Sequence, residues 1–424
     1  MRVRPASDSA GRGLTVIIMA PPPRPLRETW IAAFACLLLL AAPVTICAGQ
    51  LPSEPIALFD GRVRLSGDVS ATIGETDEEA FFNYTDYERN ALRNVRTSLS
   101  GLWTAGRRVA VLAELRAEGV SRLDLNAAYL RVRPWPDVPF DIQAGRVPPV
   151  FGAFGRRAYA NDHTLIGYPL AYQYLTSIRP DAVPATADDL LQMRGRGWRS
   201  TFPIGDLEPE TGVPLITGFR WDTGVQVRWA PGRFEAAVAV TSGTLSNPRI
   251  VDDNGGRQIA GRVAARPAVG LVTGVSAARG AWLADDVPGY SGQAQTAFGL
   301  DAEYSRGYLV LRTEAVWSRW ELPFLVAPPE GNVVSAFGAW IEGRYRLTPR
   351  IYLAARADRL DFSSITGVSG VATAWDAPVT RYEAGGGYIV RRNLVVRAVA
   401  QFNQRDGGRV RQRTYLSSQV SWWF

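Results

Sequence analysis

The chain has 424 residues, of which 47 are basic and 40 are acidic, giving a formal net charge of +7. Every basic residue is arginine, which excludes a P-loop and a Schiff-base enzyme because both need a lysine. The net charge is modest for this length and does not by itself indicate a nucleic-acid partner.

Residues 1–48 are predicted to be an N-terminal extension and a secretory signal peptide. Arg24 and Arg27 precede the apolar run WIAAFACLLLLAAP, and small residues follow it, as in a charged region, an apolar region and a cleavage site. We expect cleavage after Ala48; an uncleaved membrane anchor is the alternative. Both cysteines, Cys36 and Cys47, lie in this segment, so neither a disulfide nor a thiolate metal site is expected in the mature chain.

Segments of period-two alternation recur from residue 61 to the end. In FRWDTGVQVRW, residues 219–229, apolar side chains share one face and aromatic residues stand at both of its ends. This is typical of a transmembrane barrel strand, whose ends lie at the two membrane interfaces. Sixteen segments are predicted to be strands: 61–73, 92–104, 108–118, 122–133, 139–147, 218–230, 233–243, 258–266, 268–278, 294–305, 307–319, 333–346, 350–360, 379–390, 393–404 and 411–424.

The connections between these segments alternate in length. Short ones such as TAGRR, APGR and LTPR separate mostly longer ones such as 74–91, 244–257 and 361–378. Short turns on one side and long loops on the other are the pattern of outer-membrane barrels. The sequence therefore predicts an all-β fold for residues 49–424, a transmembrane antiparallel β-barrel of about 16 strands.

One connection, residues 148–217, is much longer than the others and is the third loop on the long side. Loops of this length are usually functional or disordered, and this one is rich in tyrosine and phenylalanine, so we expect it to fold against another part of the protein. A barrel of this size encloses an aqueous lumen that could hold it. We expect an inward fold that narrows the pore.

The stretch AAYLRVRPWPDVPFDIQAGRVPPVFGAFGRRAY, residues 127–159, and the final WWF resemble the phosphate-selective (O/P-type) family of outer-membrane porins. The resemblance implies a sixteen-stranded porin, a third loop that narrows the pore, a homotrimer, and a last strand ending in Phe424 that is recognised by the barrel-assembly machinery. The absence of lysine departs from the lysine-rich features of that family.

If the apolar parity faces lipid, the polar parity faces the lumen. Its arginines and carboxylates are nearly balanced in number. Pairs two residues apart on one strand predict ion-pair ladders: Arg312 with Glu314, Glu342 with Arg344, Arg356 with Asp358, and Arg381 with Glu383. The lumen-wall candidates are Arg62, Arg96, Arg228, Arg262, Arg312, Arg344, Arg381 and Arg397.

The long loop supplies the candidates for a constriction, since rings of arginine attract anions and lower their barrier to entry. The alternative for these residues is a solvated loop surface or contact with lipopolysaccharide. The constriction and selectivity candidates are Arg156, Arg157, Arg179, Arg194, Arg196, Arg199, Tyr159 and Tyr172.

Enzyme chemistry finds little support. His163 is the only histidine, and no G-x-S-x-G motif occurs, so a serine nucleophile would lack its usual base and setting. The acidic stretch TDEEAFFNYTDYE, residues 76–88, could offer oxygen ligands to calcium, but a solvated loop is the alternative. We expect no enzyme, no metal and no cofactor.

The sequence thus predicts a porin of the bacterial outer membrane that passes small hydrophilic solutes and ions by diffusion, with a weak preference for anions such as phosphate. Its expected partners are outer-membrane lipid, lipopolysaccharide, the assembly machinery and small anionic or neutral solutes, and no nucleic acid. A substrate-specific channel is one alternative. A non-conducting barrel that acts as an adhesin, a scaffold or a lipid-modifying enzyme is another.

Overall fold

The computed structural model describes residues 55–77, 82–83, 90–119, 123–155, 157, 159–196, 199–218, 220–407, 410 and 412–424. The predicted signal peptide lies outside these residues. The main strands are β1 (Val63–Gly74), β2 (Val95–Ala105), β3 (Val109–Glu118), β4 (Leu123–Val132), β5 (Phe140–Val147), β6 (Asp222–Trp229), β7 (Phe234–Thr241), β8 (Gln258–Ala268), β9 (Leu271–Ala281), β10 (Ala294–Arg306), β11 (Leu309–Glu321), β12 (Val333–Arg346), β13 (Ile351–Phe362), β14 (Val379–Arg391), β15 (Leu394–Arg405) and β16 (Thr414–Trp423).

Each of these strands pairs antiparallel with its neighbours in the chain, and β1 also pairs with β16, which closes the sheet. At this seam Gly67 and Phe424 exchange two backbone hydrogen bonds, of 3.0 and 3.1 Å between nitrogen and oxygen. The short strand Ile56–Leu58 then pairs with the beginning of β1. The predicted fold class, an antiparallel barrel of sixteen strands, is confirmed.

The alternation within each strand separates a lipid face from a lumen face. On β15, Arg397, Gln401 and Asn403 point inward and are buried. Val396 and Phe402 point outward and are 38% and 42% exposed. Apolar outward residues suit lipid, and polar inward residues suit a lumen. The same division holds around the barrel and gives it a transmembrane exterior.

Exposed aromatic side chains border this exterior. Toward the short turns stand Trp103, Trp229, Tyr345 and Tyr388, and toward the long loops stand Phe298, Trp317, Tyr382 and Phe402. Aromatic girdles of this kind mark the two interfaces of a membrane. Among the helices of the described residues, none is long and apolar enough to cross a membrane.

The largest difference from the predicted strand limits is at β6, which begins at Asp222 and not at residue 218. The carboxylate of Asp222 accepts backbone N–H groups from Gly243 and Arg249 in the next long connection, both at 3.0 Å. Asp222 therefore belongs to the end of the barrel, and Trp221 precedes the strand. The long loop consequently extends to residue 221.

The long loop contains little regular structure. It has a 3₁₀ turn at Ala160–Asp162, helix α1 at Leu170–Gln173 and helix α2 at Ala187–Gln192. Helix α2 begins with a capping box, in which Thr186 and Asp189 each bind the backbone N–H of the other. Such a cap satisfies two N–H groups that the helix leaves free.

Candidate functional site

The two halves of the lumen differ in solvent exposure. On the side of the short turns, inward side chains such as Arg64 and Arg344 are exposed or half-buried. On the side of the long loops, inward residues such as Ser70, Arg96 and Glu114 are buried, because the long loop packs against them. The open half on the short-turn side is called the vestibule below.

Backbone groups of the long loop bind carboxylates on distant strands. The N–H of Gly167 donates to Glu383 on β14, at 2.9 Å, and the N–H of Leu170 donates to Asp358 on β13, at 3.2 Å. The loop starts from β5 and ends at β6, which lie across the barrel from β13 and β14. It therefore crosses the lumen.

Glu314 on β11 binds the loop through three donors. Its fully buried carboxylate accepts the hydroxyl of Tyr172, at 2.7 Å, and the backbone N–H groups of Ala153 and Phe154, at 3.3 Å. Gly152 has a φ of 68°, and a Cβ at this position would overlap the carboxylate. Glycine permits both the left-handed backbone and this close approach.

Arg356 on β13 neutralises three carboxylates at the same level. Its guanidinium lies 2.9 Å from Asp358, 2.7 Å from Glu383 and 3.5 Å from Glu342. The arginine and its partners are buried. Asp358 and Glu383 also accept N–H groups of the loop. This cluster therefore links the ion pairs of the barrel wall to the backbone of the long loop.

The underside of the loop faces the vestibule. Arg157 binds Glu303 at 3.0 Å, and Arg312 binds the same carboxylate at 2.9 Å. Burial lowers the pKa of Arg157, and the neighbouring charge of Arg312 lowers it further. Tyr159 donates to Glu114, and burial raises the pKa of its hydroxyl. These residues combine charge with partial exposure and are the part of the loop that a solute in the vestibule would meet.

Above this underside, every residue from 163 to 179 is buried. His163 begins the segment: its ring nitrogen donates to the carbonyl of Arg157 at 2.8 Å, and its ring packs edge-on against Phe154 and Tyr168, with centroids 5.1 and 4.7 Å apart. Burial lowers the pKa of His163 to about 3. At this level the loop fills the lumen in the structure.

Replacing His163 with phenylalanine is expected to remove part of the pH dependence of stability. The unfolded chain binds a proton at histidine below about pH 6.5, but the folded protein does so only near pH 3. The histidine therefore lowers the free energy of unfolding as pH falls through this window. Between pH 7.5 and 5 this loss is about 2 kcal/mol.

The measurement is urea unfolding in vesicles at both pH values. The phenylalanine keeps the ring packing, so the comparison isolates the proton. An equal loss of stability in both proteins would show that His163 is protonated while folded.

The extracellular side of the loop is held by other contacts. The guanidinium of Arg179 is fully buried and binds Asp181 and the carbonyls of Ser200 and Glu208. Arg194 donates to backbone carbonyls of the two connections that flank β14 and β15, at 3.0 and 2.7 Å. Both arginines therefore contribute to the fold of the loop.

Asp376, in the connection before β14, is a loop anchor that the sequence did not predict. It accepts the N–H groups of Ser177 and Gly195, at 2.7 and 2.8 Å, and the hydroxyl of Tyr174, at 3.3 Å. Burial raises its pKa. The local sequence TAWDAP carries no motif that would have indicated this role.

The seven constriction candidates that the structure describes lie at three levels of the loop. Arg157 and Tyr159 border the vestibule, and Tyr172 and Arg179 are buried within the loop. The three on the extracellular side are Arg194, Arg196 and Arg199, and Arg156 lies outside the described residues. The structure therefore does not bring the candidates together as one ring.

Most lumen-wall candidates have partners. Arg62 is exposed in the turn before β1, and the others follow the inward parity. Six bind a neighbour on the wall, with the following distances: Arg96 to Glu118 2.6 Å, Arg228 to Glu235 3.1 Å, Arg262 to Asp301 2.6 Å, Arg312 to Glu303 2.9 Å, Arg381 to Asn403 2.8 Å and Arg397 to Gln419 2.9 Å.

Only one of the four predicted ion-pair ladders forms among these described residues, between Arg356 and Asp358. Directly opposite residues on neighbouring strands have Cβ atoms about 5 Å apart, whereas residues two apart on one strand are separated by about 6.6 Å. Arg312 accordingly binds Glu303, its opposite neighbour. The predicted pairs that do not form are Arg312 with Glu314, Glu342 with Arg344, and Arg381 with Glu383.

The vestibule has more arginines than carboxylates. Its acids are already bound: Asp141 by Arg133, Glu235 by Arg228, and Glu303 by Arg157 and Arg312. Four inward arginines have no ion-pair partner among the residues that the structure describes, and we call them the vestibule arginines: Arg64, Arg131, Arg344 and Arg346. Arg344 instead lies 5.9 Å from the ring centroid of Tyr352.

The acidic stretch 76–88 lies mostly outside the described residues, so its suggested calcium site stays untested. Within the part of the chain that is described, no group of three or more histidine, cysteine, aspartate or glutamate side chains is arranged to hold a metal ion.

Several solved structures share this fold. The anion-selective porin from Comamonas acidovorans superposes with a TM-score of 0.51 at 12% identity, over 85% of this chain and 99% of that one. OmpT from Vibrio cholerae, in its trimer form, gives 0.52 at 10% identity, over 85% and 99%. The outer-membrane channel DcaP of Acinetobacter baumannii gives 0.51 at 9% identity, over 88% and 100%.

At these identities the likeness shows the fold, which is that of outer-membrane porins and channels. Comparison with protein-family models and with curated proteins gives no match. Membership of the phosphate-selective family stays a prediction.

Proposed function

We propose that this protein is a porin-type channel of the outer membrane that passes small hydrophilic solutes and ions, with a weak preference for anions. The observation that carries the proposal is the vestibule, a polar lumen end in which four arginines lack carboxylate partners among the described residues. Unpaired inward arginines raise the local concentration of anions and lower their barrier to entry. Phosphate is one anion that guanidinium groups bind well.

The filled level above the vestibule supports a second, more specific version of this function. A loop buried over seventeen consecutive residues, 163–179, leaves no wide open pore at that height in this conformation. We therefore propose that conduction requires the loop to shift from the wall. This favours a gated or substrate-specific channel over a permanently open pore.

The first test is single-channel recording of the refolded mature protein in a planar bilayer, under a potassium chloride gradient. We expect discrete openings and a reversal potential with the sign of chloride preference. A folded barrel that never conducts would contradict both versions and would favour an adhesin, a scaffold or a lipid-modifying enzyme.

The double variant Arg344→Gln with Arg346→Gln is expected to lower the chloride-to-potassium permeability ratio, on the order of twofold, because it removes two unpaired charges from the vestibule. The matched control is Arg107→Gln with Arg108→Gln, which removes the same charge from the exposed turn between β2 and β3. An equal shift in both variants would attribute the preference to overall charge and not to the vestibule.

The remaining assignments are proposals that follow from this function. They are cleavage of the signal peptide, recognition of Phe424 by the assembly machinery, contact with lipopolysaccharide, and a homotrimer. Crosslinking of the folded protein in membranes would test the trimer directly.

A further inference from the structure

Exposed arginines and exposed aromatics occur together at the short turns. Arg233 adjoins Phe234, which is 59% exposed, and Arg306 lies two residues from Tyr308, which is 67% exposed. The same combination recurs at the turns after β2, β12 and β14, near Trp103, Tyr345 and Tyr388. We call six exposed arginines at these five turns the arginine collar: Arg107, Arg108, Arg233, Arg306, Arg350 and Arg392.

The collar is largely unneutralised. Only Arg107 has a carboxylate partner among the described residues, Asp137, and the two side chains are 75% and 85% exposed. An ion pair so exposed contributes little. Most collar arginines therefore have no carboxylate partner among the described residues.

Two outward arginines at the opposite edge of the barrel are neutralised within the protein. There the outward arginines Arg279 and Arg359 bind the carboxylates of Glu321, at 3.1 Å, and Asp361. Neutralisation is incomplete on that side as well, since the exposed Arg319 on β11 has no carboxylate partner among the described residues. At the short turns, only one of the six collar arginines is paired.

The position of the collar indicates which molecules its arginines can bind. The neighbouring aromatics stand at the membrane interface, and a strand rises about 3.3 Å per residue. Five of the collar arginines lie one to five residues from a strand-end aromatic, on its turn side, and Arg306 ends β10 beside the turn residue Tyr308. These positions are close to the level of the lipid headgroups. A guanidinium binds a phosphate with two parallel hydrogen bonds.

We propose that the arginine collar binds the phosphate groups of anionic phospholipids in the leaflet on the short-turn side. Basic residues just outside a membrane segment attract anionic headgroups, and a ring of them favours such lipids around the whole barrel. The proposal rests on the transmembrane fold and is independent of whether the lumen conducts.

The test measures lipid preference at the barrel surface. The refolded protein is placed in bilayers that contain brominated phosphatidylglycerol or brominated phosphatidylcholine, and quenching of tryptophan fluorescence gives the relative association constant of the two lipids. We expect phosphatidylglycerol to be favoured by roughly twofold or more at low salt. The preference should disappear near 1 M salt, where screening shortens electrostatic reach to about 3 Å.

The variant Arg233→Gln, Arg306→Gln, Arg350→Gln is expected to lose most of this preference. The matched control is Arg93→Gln, Arg196→Gln, Arg319→Gln, which removes three exposed arginines from the opposite side and should keep it. Equal loss in both triple variants, or a preference in the wild-type protein that high salt does not reduce, would overturn the proposal.

Peptidoglycan is the competing anionic partner on that side. Cosedimentation of the folded protein with purified cell-wall sacculi separates the two. If the collar variant loses cosedimentation while its lipid preference matches the wild type, the collar binds the wall and the lipid assignment is wrong.

Discussion

Replacing Glu314 with alanine is expected to raise the open probability of the channel by on the order of tenfold or more. The carboxylate accepts the hydroxyl of Tyr172 and the N–H groups of Ala153 and Phe154 inside the lumen. Without it, three donors lose their partner; for the two buried donors, the Tyr172 hydroxyl and the Phe154 N–H, the cost is about 1–3 kcal/mol each. The conformation in which the loop packs against β11 is then less stable, and the population of the displaced conformation increases.

The measurements are open probability in planar bilayers and the rate of trypsin cleavage within the long loop, both expected to rise. Glu314→Gln keeps one acceptor oxygen and should give an intermediate result. Glu330→Ala is the control, because this substitution removes the same charge from an exposed residue in another extracellular loop. A folded Glu314→Ala protein with unchanged conductance and cleavage would show that this contact does not hold the loop.

The fold could be predicted from the sequence because its signals are local. Alternation of period two, as in the segment containing Val225 and Val227, marks a strand by itself, and the contrast of short and long connections gives the side of each turn. The start of β6 was misplaced for the same reason. Trp221 continues the alternation, but the strand starts only at Asp222. The carboxylate of Asp222 binds Gly243 and Arg249, which lie 21 and 27 positions later in the sequence.

The loop anchors could not be predicted in this way. Glu314 is joined to Phe154 across 160 residues of sequence, and Asp376 to Ser177 across 199. No periodicity relates such pairs. The wall carboxylates Glu314 and Asp358 were predicted to point inward, but no local pattern indicates that they bind backbone N–H groups of the loop.

The division of charge along the lumen explains why nearly balanced totals can still give selectivity. In the buried half, carboxylates such as Glu314 and Asp358 are bound by loop donors or by Arg356. In the vestibule, the few carboxylates are paired, and Arg344 and Arg346 are left over. A mobile anion therefore meets net positive charge where the lumen is wet, whatever the sum over the whole wall.

Replacing Arg356 with alanine is expected to destabilise the folded barrel strongly. The substitution leaves Asp358, Glu383 and Glu342 buried without the guanidinium that contacts all three. Removing one partner of a buried ion pair costs about 3–5 kcal/mol. Because Asp358 and Glu383 also hold Leu170 and Gly167, the loop should loosen together with the wall.

Arg359 provides the control on the same strand, three residues away and on the outward face. Its side chain is 51% exposed and pairs with Asp361, so Arg359→Ala should cost less than about 1 kcal/mol. Urea unfolding in vesicles measures both values. Arg356→Lys restores a positive charge but not the planar fork, and partial recovery would locate the effect in the charge. Equal stability of the Arg356→Ala and Arg359→Ala proteins would show that the buried carboxylates are protonated or hydrated and do not depend on Arg356.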